Sequence, residues 1–207
     1  ICNLFNEKPL YIADGHHRYE SALAYQRERR AYSSSVSGDE AFNFIMMTLV
    51  DFADPGLIIL PSHRLIRGLS PSILGDLMNK LKSFFDIVEL SLDMPVVEQQ
   101  VDDLLAASGQ IRLALFGLKE KRLLVLKLHD FAAASQLIPN SHSELYKRLN
   151  GSVVDYIILE ELLGLASSQK DVRIAYSHDS EDAIGKVLAE QYQLAFILSP
   201  AKIEVIK

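Results

Sequence analysis

Residues 14–18 combine a carboxylate, a glycine, two histidines and an arginine in one short segment. Gly15 has no Cβ, so an anion could approach the backbone amides there. His16, His17 and Arg18 add side-chain donors, and a guanidinium can bind two phosphate oxygens at once. Asp14 could hold a histidine, a divalent cation or a substrate proton. The segment therefore predicts a phosphate-binding site with a carboxylate beside it.

The flanking sequence predicts the elements that would position this segment. Residues 10–13 are an apolar run typical of a buried strand, and residues 19–30 place apolar side chains at helical spacing. The first amides of a helix lack partners within the helix and carry the positive end of its dipole, which favours an anion. We therefore expect the site where a strand turns into a helix. A solvated Asp-Gly turn with water-facing histidines is the alternative.

A transition-metal site is a second alternative for the same segment. His16 and His17 would be about 100° apart around a helix, and the chain contains no His-x-x-x-His pair. His16 and Glu20 could share one helix face, which supplies only two ligands. We therefore expect no stable transition-metal site here.

The segment Ile59-Leu60-Pro61-Ser62-His63-Arg64 supplies a second candidate, because it repeats the His-Arg pair. We expect residues 42–67 to form two strands around a turn at residues 53–56, with Pro61 interrupting the second strand. An exposed pair at a strand end is the alternative. Three other histidines stand singly in polar surroundings and are expected at the surface: His129, His142 and His178.

Beyond residue 68 the pattern predicts a mixed α and β region. Ser70 is a candidate N-cap with Pro71 at the first helical position. The predicted helices are 70–86, 94–108, 140–150, 152–166 and 179–192, and the strands are 87–92, 172–176, 194–199 and a hairpin over 111–130 turning near 119–121. Residues 200–207 could begin a further helix. We expect an α+β fold with a mixed sheet, divided into domains 1–68 and 69–207.

Composition narrows the function classes. Of 207 residues, 49% are apolar and 23% charged, with 27 acids against 21 bases and a net charge of −6. Such a balance argues against binding to nucleic acid, which usually needs a basic face. Cys2 is the only cysteine, which excludes an internal disulfide and a thiolate metal cluster. No apolar run is long enough for a membrane span and no signal-peptide pattern is present, so we expect a cytoplasmic protein.

Three stretches, LYIADGHHRYESAL, GLIILPSHRLI and AFILSPAKIEVI, resemble an uncharacterised prokaryotic family, domain of unknown function 1015. Members of that family carry a long segment before the Asp-Gly-His-His-Arg stretch and a further Lys-Ser-Thr-containing segment at the other end. The chain, which starts at Ile1, is therefore expected to be a piece of a longer protein. Where the family pattern reads Leu-Asp-Val-Ser-x-x-His, this chain has LNGSVVD, with Asn150, Gly151 and Asp155 in the altered places.

Gly15, His17 and Arg18 are also similar to the Gly-x-His-Arg phosphate-binding motif of the ParB and sulfiredoxin superfamily, which includes nucleotide-binding partition proteins and kinases of free serine. His16 stands where sulfiredoxins need a cysteine, so their redox chemistry is not implied. The sequence offers no candidate for the basic helix-turn-helix of the partition proteins.

The resemblance implies ATP or ADP, with Mg²⁺, as cofactors and phosphoryl transfer to a small-molecule hydroxyl, with serine as the leading substrate. The implied catalytic residues are Asp14, or an acid outside this chain, and His17. The implied phosphate- and nucleotide-binding residues are Gly15, His16, His17, Arg18, His63 and Arg64. A nucleotide-sensing module without turnover is the alternative. The sequence leaves the oligomeric state open.

Overall fold

The computed structural model describes residues 5, 7–32, 37–91, 101, 103–105, 110–165, 169 and 172–202. The chain divides into two compact units, Ile1–Leu57 and Ile58–Ile206. The sequence-based division into domains 1–68 and 69–207 stays a prediction. Most of the helix predicted over residues 94–108 lies outside the described residues. All of residues 203–207 lie outside them as well.

The N-terminal unit is built around one long helix, α1, which spans His16–Tyr32. A 3₁₀ turn, Ala41–Asn43, lies against it. Asn43 accepts hydrogen bonds from the side chains of Gln26, at 3.2 Å, and Arg30, at 2.7 Å and 3.1 Å. None of the described residues of this unit is buried, so its described part has no closed core, and the rings of Tyr11 and Phe52 contact each other edge to face at 5.5 Å.

Two strands predicted for the N-terminal unit are wrong. Residues 10–13 belong to no strand and are exposed, and residues 44–51 belong to no strand either. The predicted turn is present, since the Leu57 amide donates to the Asp54 carbonyl at 3.0 Å. An apolar run becomes a strand only where a neighbouring strand completes its hydrogen bonds. Within the described residues, neither run forms a strand ladder with another segment.

The second unit contains a six-stranded sheet flanked by helices. Its strands are β1 (His63–Ile66), β2 (Phe85–Ser91), β3 (Arg112–Phe116), β4 (Arg122–Leu128), β5 (Ile174–Ser177) and β6 (Leu194–Ile197). Its α-helices with both ends among the described residues are α2 (Pro71–Leu81), α3 (Phe131–Ser135), α4 (Glu144–Lys147) and α5 (Ser180–Leu188). The helical turn Asn150–Ser152 runs directly into a π-helix over Val153–Leu162. The α+β class expected from sequence is confirmed.

All neighbouring strands of the sheet are antiparallel, in the order β2-β4-β3-β6-β1-β5. The predicted β3–β4 hairpin forms. β1 pairs with β5 and β6, near the end of the chain, instead of with residues 42–52 as predicted. As a central strand of this sheet, β1 has both of its apolar side chains, Leu65 and Ile66, fully buried, and that burial outweighs the proximity of residues 42–52 in sequence.

Side chains of the sheet alternate between two apolar clusters. On one face Ile66 and Phe196 pack with α2 and the π-helix, and on the other Leu65 and Ala195 pack with α5. This alternation follows from the two-residue period of a strand. The sheet is therefore covered on both faces.

Helix starts in the second unit follow the sequence closely. The Ser70 hydroxyl accepts from the Ile73 amide at 3.4 Å, with Pro71 at the first position of α2, as predicted. Asp179 caps α5 by accepting from the Asp182 amide at 2.9 Å. These caps satisfy amides that have no partner within the helix.

The helix predicted over residues 152–166 takes an unusual form. Residues 153–162 are wound as a π-helix, and the Leu163 amide donates to the Ile158 carbonyl, five residues back, at 2.9 Å. Such a winding places residues i and i+5 on one face, and π-helical segments are frequent at functional sites. Within the described residues no helix is both long and apolar enough to cross a bilayer.

Candidate functional site

The backbone at the start of α1 favours a glycine, which also leaves room for the Arg18 side chain. Gly15 has φ of +83°, in the left-handed region that other residues rarely adopt. A Cβ at this position would also lie only 3.0–3.2 Å from the guanidinium of Arg18. The glycine therefore allows the turn into the helix and lets Arg18 fold over the turn.

The Arg18 guanidinium is held in that position by a local ion pair. Its Nη2 lies 3.2 Å from Asp14 Oδ2, and the side chains are 79% and 92% exposed. Exposed ion pairs of this kind contribute at most about 1 kcal/mol. An incoming anion can therefore replace the Asp14 carboxylate at little cost.

The two histidines of the segment are exposed as well. His17 Nδ1 lies 3.6 Å from Glu20 Oε2 at the surface of α1, and His16 is the first residue of the helix. All of the donors predicted from the sequence at residues 16–18 are thus open to a ligand. The structure pairs Glu20 with His17, not with His16. Among the described residues, no group of three or more histidine, cysteine or acidic side chains is placed to hold a metal ion.

The second His-Arg pair is in very different surroundings. Arg64 donates from Nε to Asp155 Oδ1 at 3.1 Å and from Nη2 to Asp155 Oδ2 at 2.8 Å, and its side chain is only 10% exposed. Its Nη1 donates to the Ser62 carbonyl, and its guanidinium lies 5.1 Å from the centre of the Tyr176 ring. Arg64 therefore joins β1 to the π-helix through a bidentate pair.

His63 is buried beside this pair, with 2% of its surface exposed. Its Nδ1 accepts a hydrogen bond from the Leu198 amide at 3.1 Å. Burial lowers the pKa of His63 from 6.5 to about 4; Asp179 opposes this shift, and His178 and Arg64 add to it. The imidazole is therefore neutral at pH 7.

Two of the three residues at the altered family positions lie beside Arg64. Asp155 is its ion-pair partner, and a Cβ on Gly151 would lie 3.2 Å from Arg64 Nη2. Asn150 donates from Nδ2 to Ser199 Oγ at 2.7 Å. The departure of LNGSVVD from the family pattern is the sequence signal for Asn150, Gly151 and Asp155. No sequence signal identified Ser199.

The predicted site residues are thus divided between the two units, with residues 14–18 in one and His63 and Arg64 in the other. A phosphate-binding role for His63 and Arg64 stays a prediction, and it would require their present contacts to open. His129 and His178 are exposed as predicted. The surface position predicted for His142 is wrong, because it is half-buried and its Nε2 lies 2.9 Å from the Tyr156 hydroxyl.

Comparison with known sequences gives one family. A family model described as protein of unknown function (DUF1015) matches residues 1–152. No protein with curated annotation matches the sequence.

Three solved structures that are similar to this chain each cover 94% of it. A conserved hypothetical protein from Pyrococcus furiosus has 14% identity and a TM-score of 0.44, over 94% of this chain and 61% of that chain. A free serine kinase in complex with AMP has 18% identity and a TM-score of 0.44, over 94% and 59%. A mutant free serine kinase in complex with ADP has 17% identity and a TM-score of 0.42, over 94% and 59%. This chain spans about three fifths of the length of these structures.

Proposed function

The chain belongs to the family of proteins of unknown function DUF1015, and from the geometry of residues 14–18 we propose that it binds the phosphates of a nucleotide. The observation that carries this proposal is the exposed guanidinium of Arg18, paired only with the exposed Asp14 and folded over a glycine of positive φ at the start of α1. A phosphate at this position would gain the planar fork of Arg18 and the unpaired amides of the first helical turn. His16 and His17 would add two further donors.

The physical basis of the proposal is that a phosphate can replace the Asp14 carboxylate at the Arg18 guanidinium. In this structure the Asp14 carboxylate occupies the Arg18 fork. A phosphate carries more charge and more acceptor oxygens than a carboxylate, so it competes well for the same donors. Asp14 is then released beside the bound phosphate, where a carboxylate could orient a substrate hydroxyl or a Mg²⁺ ion.

We propose further that the longer protein transfers a phosphoryl group from ATP or ADP to a small-molecule hydroxyl, with free serine as the first substrate to test. Phosphoryl transfer depends mainly on positioning and on charge neutralisation, which Arg18 and the two histidines would supply. Asp14 would serve as the base, and His17 would stabilise charge on the transferred group. The ParB and sulfiredoxin resemblance of the Gly15-x-His17-Arg18 motif supports this proposal.

A nucleotide sensor without turnover is the second candidate. Phosphoryl transfer benefits from a closed site that excludes water. Every donor of residues 16–18 is exposed here, which favours binding over chemistry. A sensor would use the same phosphate contacts to shift a conformational equilibrium.

The test is calorimetric titration of the chain with ATP, ADP and AMP. Arg18→Ala should weaken binding about tenfold or more, because a charge-assisted hydrogen bond contributes about 1.5–3 kcal/mol. Arg27→Ala, an exposed arginine further along α1, is the matched control and should bind like the wild type. Equal affinity of Arg18→Ala and wild type would refute the proposed site.

Labelled ATP or ADP incubated with serine and a panel of other hydroxyl metabolites separates kinase from sensor. The longer protein is used here, because this chain spans only part of its relatives. A kinase should label one hydroxyl compound, and Asp14→Asn should abolish labelling while nucleotide binding remains. Saturable nucleotide binding with no labelled product would establish the sensor.

A further inference from the structure

One buried side-chain donor of the second unit has no hydrogen-bond acceptor. It is the Nε of Arg112, the first residue of β3. The Arg112 guanidinium donates from Nη1 to the Leu104 carbonyl at 3.3 Å, and neither its Nε nor its Nη2 donates to any described residue. A buried donor without an acceptor is costly and rare, because it has lost its hydrogen bonds to water and gained none in return.

Arg64 shows what an arginine with the same backbone contact binds in this fold. It also donates from Nη1 to a backbone carbonyl, that of Ser62. Its Nε and Nη2 donate to the two carboxylate oxygens of Asp155, at 3.1 Å and 2.8 Å. These two nitrogens form one fork of the guanidinium, whose parallel N–H groups match a carboxylate. The same fork of Arg112 has no carboxylate partner among the described residues.

A second cation without an ion-pair partner lies next to Arg112 in the sheet. Lys127 of β4 is directly opposite Arg112, so the Cβ atoms of the two residues are about 4.5–5.5 Å apart on one face of the sheet. Lys127 is half-buried, and within the described part of the chain no carboxylate pairs with it. Like charges at directly opposite positions are destabilising. An anion bound by both side chains would remove that repulsion and satisfy Arg112 Nε.

The acids around the two cations limit the charge of such an anion. Asp86 of β2 is opposite Lys127 on its other side and is exposed. Asp103, next to Leu104 in the chain, is a further exposed acid. Arg112 and Lys127 carry two positive charges, which these acids partly offset. A singly charged carboxylate therefore fits the surroundings better than a doubly charged phosphate, which the acids would repel more strongly.

We propose that Arg112 and Lys127 form a binding site for the carboxylate group of a small molecule. Arg112 Nε and Nη2 would each donate to one carboxylate oxygen, as Arg64 does to Asp155. The Lys127 ammonium would interact with the same group from β4. We call these two residues the carboxylate site. It lies in the second unit, differs from the phosphate site at residues 14–18 in ligand class, and does not depend on that site being real.

The experiment follows the arginine Nε–H signals and the backbone amides of the ¹⁵N-labelled chain by NMR, while sodium acetate replaces sodium chloride at pH 7. The Arg112 Nε–H signal is assigned with Arg112→Lys, which keeps the charge but lacks the fork. We expect acetate to shift this signal and the Lys127 amide in a saturable manner. Inorganic phosphate at the same ionic strength should bind about fivefold more weakly or less, because it lacks the planar pair of oxygens that the fork matches.

Two variants and a control make the result specific. Lys127→Gln should raise the dissociation constant for acetate about fivefold or more, because it removes the ammonium. Arg112→Lys should abolish the response of the Lys127 amide to acetate. Arg122→Lys, at an exposed arginine of β4, is the matched control and should bind acetate like the wild type.

Thermal melting shows whether each variant is folded, and Lys127→Gln keeps the test decisive if Arg112→Lys is not. An Arg112 Nε–H signal that does not respond to acetate, or responds without saturation, would mean that water alone satisfies this donor and would overturn the proposal. Tighter binding of phosphate than of acetate would overturn the ligand class.

Discussion

The chain contains the dipeptide His-Arg twice, and the two copies differ in almost every physical respect. Arg18 pairs with Asp14, four residues away, and the two side chains are 79% and 92% exposed. Arg64 pairs with Asp155, 91 residues away, and the two side chains are 10% and 28% exposed. His17 is at the surface of α1, whereas His63 is buried.

The difference shows that burial decides what a His-Arg pair can do. A guanidinium in water keeps its donors available, because a weak, screened partner is easily replaced. A guanidinium out of water must keep its partner, since an unpaired buried charge is far more costly than an unpaired exposed one. The first pair is therefore suited to a ligand, and the second holds elements of the fold together.

The largest expected effect is a difference in stability between variants of the two arginines. Arg64→Ala should lower the free energy of unfolding by about 3 kcal/mol, because it leaves Asp155 without its partner. Arg18→Ala should lower it by less than about 0.5 kcal/mol. Urea unfolding followed by circular dichroism measures both. If the two variants lost equal stability, the distinction between the pairs would be wrong.

A second prediction concerns how the free energy of unfolding depends on pH through His63. The folded-state pKa of His63 is about 4, below the ordinary 6.5, so the unfolded chain binds the extra proton between these values. Stability from His63 is therefore complete above pH 6.5 and is lost as pH falls toward 4, by up to about 3 kcal/mol. Unfolding measured from pH 4 to pH 7 should show this slope.

The control for the pH effect is His63→Asn, which lacks the titrating group. The difference in unfolding free energy between wild type and this variant should grow as pH rises from 4 to 6.5. A pH-independent difference for His63→Asn would mean that His63 is not held neutral by burial.

A third prediction concerns the glycine at the first pair. Gly15→Ala places a Cβ within 3.0–3.2 Å of the Arg18 guanidinium and at a positive φ. The backbone strain should cost about 1–2 kcal/mol of stability, and nucleotide affinity should fall along with it. Gly38→Ala is the matched control, since Gly38 has φ of +100° and open space around its Cβ. It should show similar strain with unchanged affinity. A Gly15→Ala variant that binds nucleotide normally would disprove the tight approach of Arg18.

The smallest effect concerns the glycine at the second pair. Alanine usually stabilises a helix by about 0.5–1 kcal/mol relative to glycine. Gly75→Ala in α2 should show this gain, because nothing lies within 4 Å of its Cβ. Gly151→Ala should show no gain or a small loss, since its Cβ would lie 3.2 Å from Arg64 Nη2 and Asp155 holds that arginine in place. Thermal melting of the two variants measures the difference, and equal gains would show that Arg64 moves freely.

Local features of this protein were predictable from sequence because the atoms that determine them are close in the chain. The cap formed by Ser70, with Pro71 beside it, needs only the first turn of α2. The β3–β4 hairpin needs only one tight connection. The turn at Gly15 and the start of α1 directly after it follow from the Asp-Gly dipeptide and from the helical spacing of the next residues. The residues of the exposed candidate site and their place at the start of a helix were therefore predictable from sequence.

Only the tertiary structure decided the surroundings of the second His-Arg pair. The sequence placed β1 beside residues 42–52, but its partners are β5 and β6, more than a hundred residues further along. That pairing buries Arg64 and His63 and brings the Leu198 amide to His63, and the π-helix supplies Asp155 as the partner of Arg64. The π-helical winding of residues 153–162 likewise has no local signature. Burial and long-range pairing are properties of the whole folded chain, because the apolar area removed from water depends on all elements at once.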